Sequence, residues 1–261
     1  MLSVGISQIP NSADIAKNFE NICALLEKFE KTDVDVILFP ECSLSGFTSK
    51  MRECSKEILA PYILKIQNWV RQTGIEVVLP TAIVENEKIF NSGYWFKENE
   101  HQRFYKTGLT DSEKSFFSLP SDFSPKVFQV KDYSLALLIC FEIEHAPWTY
   151  FRDGSADLIL WPGYWGWTIE DKWANEKQQG KPNQVFINMA TWQIPILQSN
   201  FAYNDLDGHK GAGPEGLSFV IDQDNKNIFK GPHLEKNGFI VSLNKINNRT
   251  VVTNCRSLSF A

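Results

Sequence analysis

Residues Ser134–Trp148 read SLALLICFEIEHAPW, an apolar run that stops at Cys140 and is followed within five residues by two carboxylates and a histidine. The run before the cysteine has the length and composition of a strand buried on both faces. Pro147 favours the opening of a helix, so Cys140 stands at a strand-to-helix corner. At such corners backbone N–H groups point outward and thiol pKa values tend to be lowered. A nucleophile and a buried structural cysteine both fit this stretch, and the surrounding chain has to separate them.

Working outward, apolar runs alternate with amphipathic ones. Leu2–Ile9 reads as a first strand, and Ser12 or Asp14 can cap a helix from Ile15 to about Thr32, with apolar residues at three- and four-residue spacing. Val34–Phe39 is a second buried strand ending at Pro40-Glu41. A loop through Gly46 leads to a helix near Glu53–Gln72, then to a strand Ile75–Leu79 that Pro80–Val84 extends. Lys88–Lys97 and Gln102–Tyr105 read as antiparallel strands. Lys106–Pro125 has no periodicity, as functional loops often do not. Lys126–Lys131 and Tyr133–Ile139 form a hairpin into Cys140. Beyond it come a helix near Pro147–Asp153, a strand Asp157–Trp161, a helix Glu170–Gln179 and a strand Gln184–Ala190. Ile194–Ser199, Gly216–Asp222, Asn227–Phe229, Gly238–Leu243 and Thr250–Asn254 make the C-terminal part β-rich. No linker or charge block divides the 261 residues, so one domain over 1–261 is expected, with mixed sheets and helices packed outside.

Composition narrows the function classes. Net charge is −5, which gives no footprint for nucleic acid or an anionic membrane. No run approaches the length of a membrane-spanning helix, and the N-terminus lacks the basic segment of a signal peptide. The five cysteines are widely spaced without a C-x-x-C pair, which argues against a disulfide framework or zinc site and for a reducing, cytoplasmic location. Aromatic residues make up 13% of the chain, enough to line a pocket or a self-association surface.

Three strand ends carry a polar group after an apolar run: Glu41, Lys106 and Cys140. Ligands in α/β folds bind outside the carboxyl ends of strands, so these three can converge. A thiol nucleophile, a carboxylate to take its proton and an ammonium to offset oxyanion charge are a workable set for acyl transfer, helped by the Phe141 backbone N–H. Taken singly, Glu41 and Lys106 read equally as solvated surface residues.

Read together, these segments resemble the nitrilase superfamily, the carbon–nitrogen hydrolases with a Glu–Lys–Cys triad. VILFPECSLSGF resembles the family's FPE-x-x-x-x-G-[YF] segment and places the general base at Glu41. FYKTGLTDSEKSFF resembles Y-[RK]-K-x-x-L and places the lysine at Lys106. LLICFEIEHAPW resembles G-x-x-[IL]-C-[YWF]-[DE] and places the nucleophile at Cys140. ADLILWPGYW and GPEGLSFVIDQDNK resemble two downstream segments, so the likeness covers nearly the whole chain. It implies a four-layer α-β-β-α sandwich and a homodimer, with no metal or organic cofactor. It also implies that Glu113 assists the lysine and water, and that Tyr164 and Trp165 lie at the substrate. Glu142, in the acidic place two residues after the cysteine, reads as a substrate contact or equally as a structural partner for a nearby backbone or basic group.

The chain departs from the family in three places. After the cysteine it has C-F-E-I-E-H-A-P where amidases carry C-Y-D-x-R-F-P. SLPSDFSP lacks the glycine of the F-x-P-G segment, and Asn225-Lys226-Asn227 replaces a final glycine. These changes leave the substrate unassigned. Cys42 beside Glu41 reads as structural, and a Cys–His arrangement with His145 or His209 is the thiol-protease alternative. The expected activity is hydrolysis of a small amide through a Cys140 thioester. The alternatives are a nitrilase and a non-catalytic binding protein keeping the fold.

Overall fold

The computed structural model describes residues 1–121, 126–145, 156–166, 191–206 and 213–258. Its centre is a pair of mixed sheets. The first contains β1 (Leu2–Gln8), β3 (Val36–Leu38), β4 (Glu76–Glu85), β5 (Lys88–Phe96), β6 (His101–Tyr105), β14 (Asn237–Ile246) and β15 (Arg249–Ser257), in the order β15-β14-β1-β3-β4-β5-β6. The second contains β7 (Val127–Val130), β8 (Tyr133–Leu137), β9 (Leu158–Pro162), β10 (Ile196–Ser199), β12 (Phe219–Ile221) and β13 (Asn227–Lys230), in the order β13-β12-β10-β9-β8-β7. Each has the same plan: β1, β3 and β4 run parallel in one, β8, β9 and β10 in the other, with antiparallel strands on both sides.

Strand alternation sorts the core into layers. Val4, Ile6, Val36, Leu38 and Val78 face Leu135, Leu137, Leu158, Leu160 and Leu197 between the sheets. The opposite face of the first sheet (Ile37, Val77, Leu79, Ile83) packs against α1 (Ile15–Phe29) and α2 (Lys56–Thr73) through Ile22, Leu25, Phe29, Leu59, Ile63 and Val70. α1 begins where Asp14 accepts a hydrogen bond from the Ala16 N–H, and α2 ends at Gly74 in the left-handed region. Both are the terminators these residue types favour. Ala136, Ile159, Trp161, Ile196 and Phe219 form the outer face of the second sheet. The fourth layer expected there falls on Pro147–Asp153 and Glu170–Gln179, which lie outside the described residues, as does the strand expected at Gln184–Ala190.

Among the boundaries that shift, three have a clear physical reason. The strand expected to end at Ile139 ends at Leu137, because the chain turns into the corner: the Glu142 N–H bonds the Ile139 carbonyl at 3.0 Å. A short helix, α3 (Glu142–His145), follows directly, so helical backbone starts before the proline expected to open it. β15 runs to Ser257, longer than its apolar pattern, because it completes an antiparallel hairpin with β14.

Candidate active site

Glu41 sits just past β3, where Pro40 ends the strand, in a loop that Gly46 closes. Gly46 has φ +70°, and a Cβ there would fall 2.0 Å from the Ser12 carbonyl oxygen. Ser12 belongs to β2 (Asn11–Ser12), which pairs with β11 (Asn204–Asp205). Asn11 accepts the Phe47 N–H at 2.8 Å. The loop therefore has one tight path, and a side chain at residue 46 would break it.

Glu41 is 1% exposed, and its Oε1 accepts Lys106 Nζ at 2.7 Å and Asn91 Nδ2 at 2.7 Å. Lys106 enters from the end of β6, equally buried, with its N–H on the Asn91 carbonyl at 2.8 Å. Its ammonium also donates to Glu113 Oε1 at 2.6 Å. Glu113 is itself held by the Thr110 N–H, which donates to Oε2 at 2.8 Å. One buried ammonium is thus shared by two carboxylates. Burial pulls the Lys106 pKa down, but Glu41, Cys140 and Glu113 outweigh it and raise it overall. Burial, with the charge of Glu113, raises Glu41 against the pull of Lys106 and Asn91. A carboxylate so placed is a better proton acceptor than one in water.

Cys140 has φ +48°, a left-handed conformation that is strained for a side-chain-bearing residue. Its N–H bonds the Pro162 carbonyl at 2.8 Å, and its own carbonyl accepts Trp161 Nε1 at 2.8 Å. The next carbonyl along, Gly163, accepts the Glu41 N–H at 3.4 Å. Two consecutive carbonyls at the end of β9, those of Pro162 and Gly163, therefore hold the backbones of Cys140 and Glu41, which follow strands of different sheets.

The lowered thiol pKa expected at this corner is not what the structure gives. Burial, then the charge of Glu41, pushes the Cys140 pKa up, and Lys106 and the Tyr164 backbone N–H only partly offset this. The two adjoining N–H groups of the corner are engaged elsewhere, Cys140 N–H on Pro162 and Glu142 N–H on Ile139. The resting group is a neutral thiol that needs a base.

Of the two readings of Glu142, the structure favours the structural partner: the residue is 4% exposed and surrounded by protein donors. Its Oε1 accepts the Thr107 N–H at 2.6 Å, Thr107 Oγ1 at 2.8 Å, the Gly108 N–H at 3.3 Å and Lys126 Nζ at 2.8 Å; its Oε2 accepts the Ile139 N–H at 2.7 Å. Burial opposes ionisation, but Lys126 and these donors win and lower its pKa. Tyr164 stacks on Phe47 with ring centroids 4.5 Å apart, and its hydroxyl meets Asn204. Trp165 packs edge-on against Trp161 at 4.7 Å, and Asn200 holds its backbone from both sides, accepting its N–H and donating to its carbonyl. Trp167, two residues further on, and His209 lie outside the described residues, as does the His145 side chain.

Sequence reading passed over Asn91, Lys126 and the Pro162–Gly163 carbonyls. Asn91 had a signal, a lone amide in the apolar strand KIFNSGYWF; the other two had none. Among the described residues no group of three His, Cys, Asp or Glu is placed to hold a metal ion, and no helix is long and apolar enough to cross a membrane.

Comparison with known proteins gives a consistent picture. The sequence model of the carbon-nitrogen hydrolase family matches residues 3–194. An (R)-stereoselective amidase of Pseudomonas sp is 30% identical over 115 residues, covering 43% of this chain and 41% of its own length. A glutamine-dependent NAD(+) synthetase of Xylella fastidiosa is 26% identical over 156 residues, covering 57% of this chain and 29% of its own. The chain thus spans less than half the length of these curated relatives. Among solved structures, the amidase from Nesterenkonia sp. AN1 superposes with a TM-score of 0.75 at 18% identity, over 94% of both chains, a likeness of fold.

Proposed function

This chain belongs to the carbon–nitrogen hydrolase family, the nitrilase superfamily, and on that premise we propose that it hydrolyses the C–N bond of a small amide through a thioester on Cys140. The observation that carries the reading is the buried Glu41–Lys106–Glu113 chain of ion pairs, whose charges act on the Cys140 thiol. In the reaction Glu41 takes the thiol proton as sulfur bonds to the carbonyl carbon. The Lys106 ammonium, with the Phe141 N–H, offsets the charge on the carbonyl oxygen. The C–N bond then breaks as Glu41 returns its proton to nitrogen, releasing ammonia or an amine. A water that gives a proton to Glu41, positioned with the help of Glu113, adds to the thioester. Collapse releases the acid and restores the thiol.

Ionisation states support this order. Burial raises the Cys140 pKa, which favours the neutral thiol and is consistent with proton transfer to Glu41 during attack. Tyr164 and Trp165 flank this corner and are the substrate contacts in this reading. Exposed Ile58 and Leu64 on α2 offer apolar area for a homodimer, which light scattering would test. The likeness to glutamine-dependent synthetases adds a second reading, in which the amide is the carboxamide of glutamine.

Matched amide and nitrile pairs, glutamine included, test the proposal through ammonia release. Release from amides is expected; release from nitriles alone would overturn it in favour of a nitrilase. Alkylation by iodoacetamide, followed by peptide mass mapping, separates an enzyme from a binding protein. Cys140 is expected to label faster than Cys42 or Cys54, at a rate that Glu41→Gln alters. Equal labelling of all three and no effect of Glu41→Gln would rule out an activated thiol.

A further inference from the structure

The catalytic lysine and the nucleophile come from different sheets, and one carboxylate spans the gap between their neighbours. Glu142 takes the N–H and hydroxyl of Thr107, the residue after Lys106, on Oε1, and the N–H of Ile139, the residue before Cys140, on Oε2. Gly108 lets the strap lie close: a Cβ there would stand 3.1 Å from Glu142 Cγ. A carboxylate buried to this degree gains further from a counter-charge beside its hydrogen bonds. That charge is Lys126, whose Nζ is 2.8 Å from Glu142 Oε1 with a side chain 10% exposed. Lys126 lies in none of the motif segments. It stands at the entrance to β7, just after the segment that lacks the family glycine, and its carbonyl accepts the Leu137 N–H at 2.8 Å. It is thereby fixed to β8, the strand that leads to Cys140.

We propose that Lys126 is a positioning residue that keeps the Glu142 strap charged and taut, and so holds Lys106 in register with Cys140. The proposal rests on the thiol-hydrolase reading above. Lys126 touches Glu142 and acts through it. Its effect falls on the attack step, where the ammonium must meet the developing oxyanion, rather than on substrate capture. Loss of the cation leaves Glu142 either protonated or solvated, and in both cases its hold on Thr107 and Ile139 weakens.

The test compares Lys126→Met, Lys126→Arg and Glu142→Gln in the full chain, by iodoacetamide labelling of Cys140 and by amide turnover. Lys126→Met is expected to slow Cys140 labelling about tenfold and to lower kcat similarly, with KM within about twofold, while Cys255 labels as before. Lys126→Arg, which keeps the charge, is expected to restore both within about threefold. Wild-type labelling and turnover rates in Lys126→Met would overturn the proposal. So would equal losses in Met and Arg variants, because size rather than charge would then matter. Should Lys126→Met not fold, Glu142→Gln carries the same expectation, and a wild-type rate in that variant is equally decisive. Failure of the underlying reading looks different: wild-type Cys140 would itself label no faster than Cys42.

Discussion

Two cysteines flank the same carboxylate, and the difference between them separates a core residue from the proposed nucleophile. Cys42 and Cys140 both follow a buried strand, and both adopt the left-handed backbone, at φ +54° and +48°. Both thiols feel the same forces in the same order: burial and Glu41 raise their pKa values, and Lys106 lowers them. Neither residue type, backbone conformation nor nearby charge distinguishes them. Access and one donor do. Cys42 is sealed, its sulfur facing the Asn91 side-chain oxygen at 3.7 Å, whereas Cys140 is partly exposed and has the Tyr164 backbone N–H acting on its sulfur. A thiol beside a base becomes a nucleophile only where a carbonyl carbon can reach it.

Substitutions can break this comparison, the largest effect first. Cys140→Ala is expected to cost at least about 10⁴-fold in amide turnover, while Cys42→Ala keeps turnover within a few-fold and loses about 1–2 kcal/mol of stability to the small cavity. Steady-state kinetics beside urea melts read both, and comparable kinetic losses would mean that the two thiols are not functionally distinct. Lys106→Met tests the shared charge. It leaves Glu41 and Glu113 buried without their cation, so a loss of about 3–5 kcal/mol is expected by chemical denaturation, along with inactivation. A more modest effect should follow Asn91→Ala, which removes a donor to Glu41 and the neighbour of Cys42 together. About 1–3 kcal/mol of stability and a measurable drop in kcat are expected.

The pH dependence sets Glu142 apart from Glu41, whose pKa burial raises. Glu142 has a lowered folded-state pKa, so its contribution to stability is present above the ordinary carboxylate value and is lost as pH falls through the folded one. Thermal melts of Glu142→Gln between pH 3 and 7 should show a flatter acid limb than wild type. Smallest of all, Tyr164→Phe removes a hydroxyl bonded to Asn204 but keeps the backbone N–H at Cys140. About 1 kcal/mol of stability should be lost, and reactivity towards iodoacetamide should stay unchanged.

Much of this was legible from residue order. Buried runs such as VDVILF and SLALLI mark the parallel strands because both faces must be covered, and a polar residue after each run marks a strand end. Convergence of Glu41, Lys106 and Cys140 follows from that pattern together with the family motifs. The sign of the Cys140 pKa shift did not follow, because it depends on how much water the corner excludes and on which N–H groups are already taken. Lys126 stayed hidden for a related reason. A lysine before a strand is ordinarily a surface residue, and only the packed position of Glu142 makes it an internal counter-ion. Backbone carbonyls are present at every residue, so no sequence pattern could single out those of Pro162 and Gly163.

Those two carbonyls have a consequence for how such a protein can change over time. The backbones of Glu41 and Cys140 are fastened there by main-chain atoms, which any residue supplies, rather than by side chains that a mutation can delete. Drift in side-chain identity therefore leaves the fastening in place so long as the turn after β9 keeps its path. Such main-chain fastening is compatible with a fold shared with an amidase at only 18% identity.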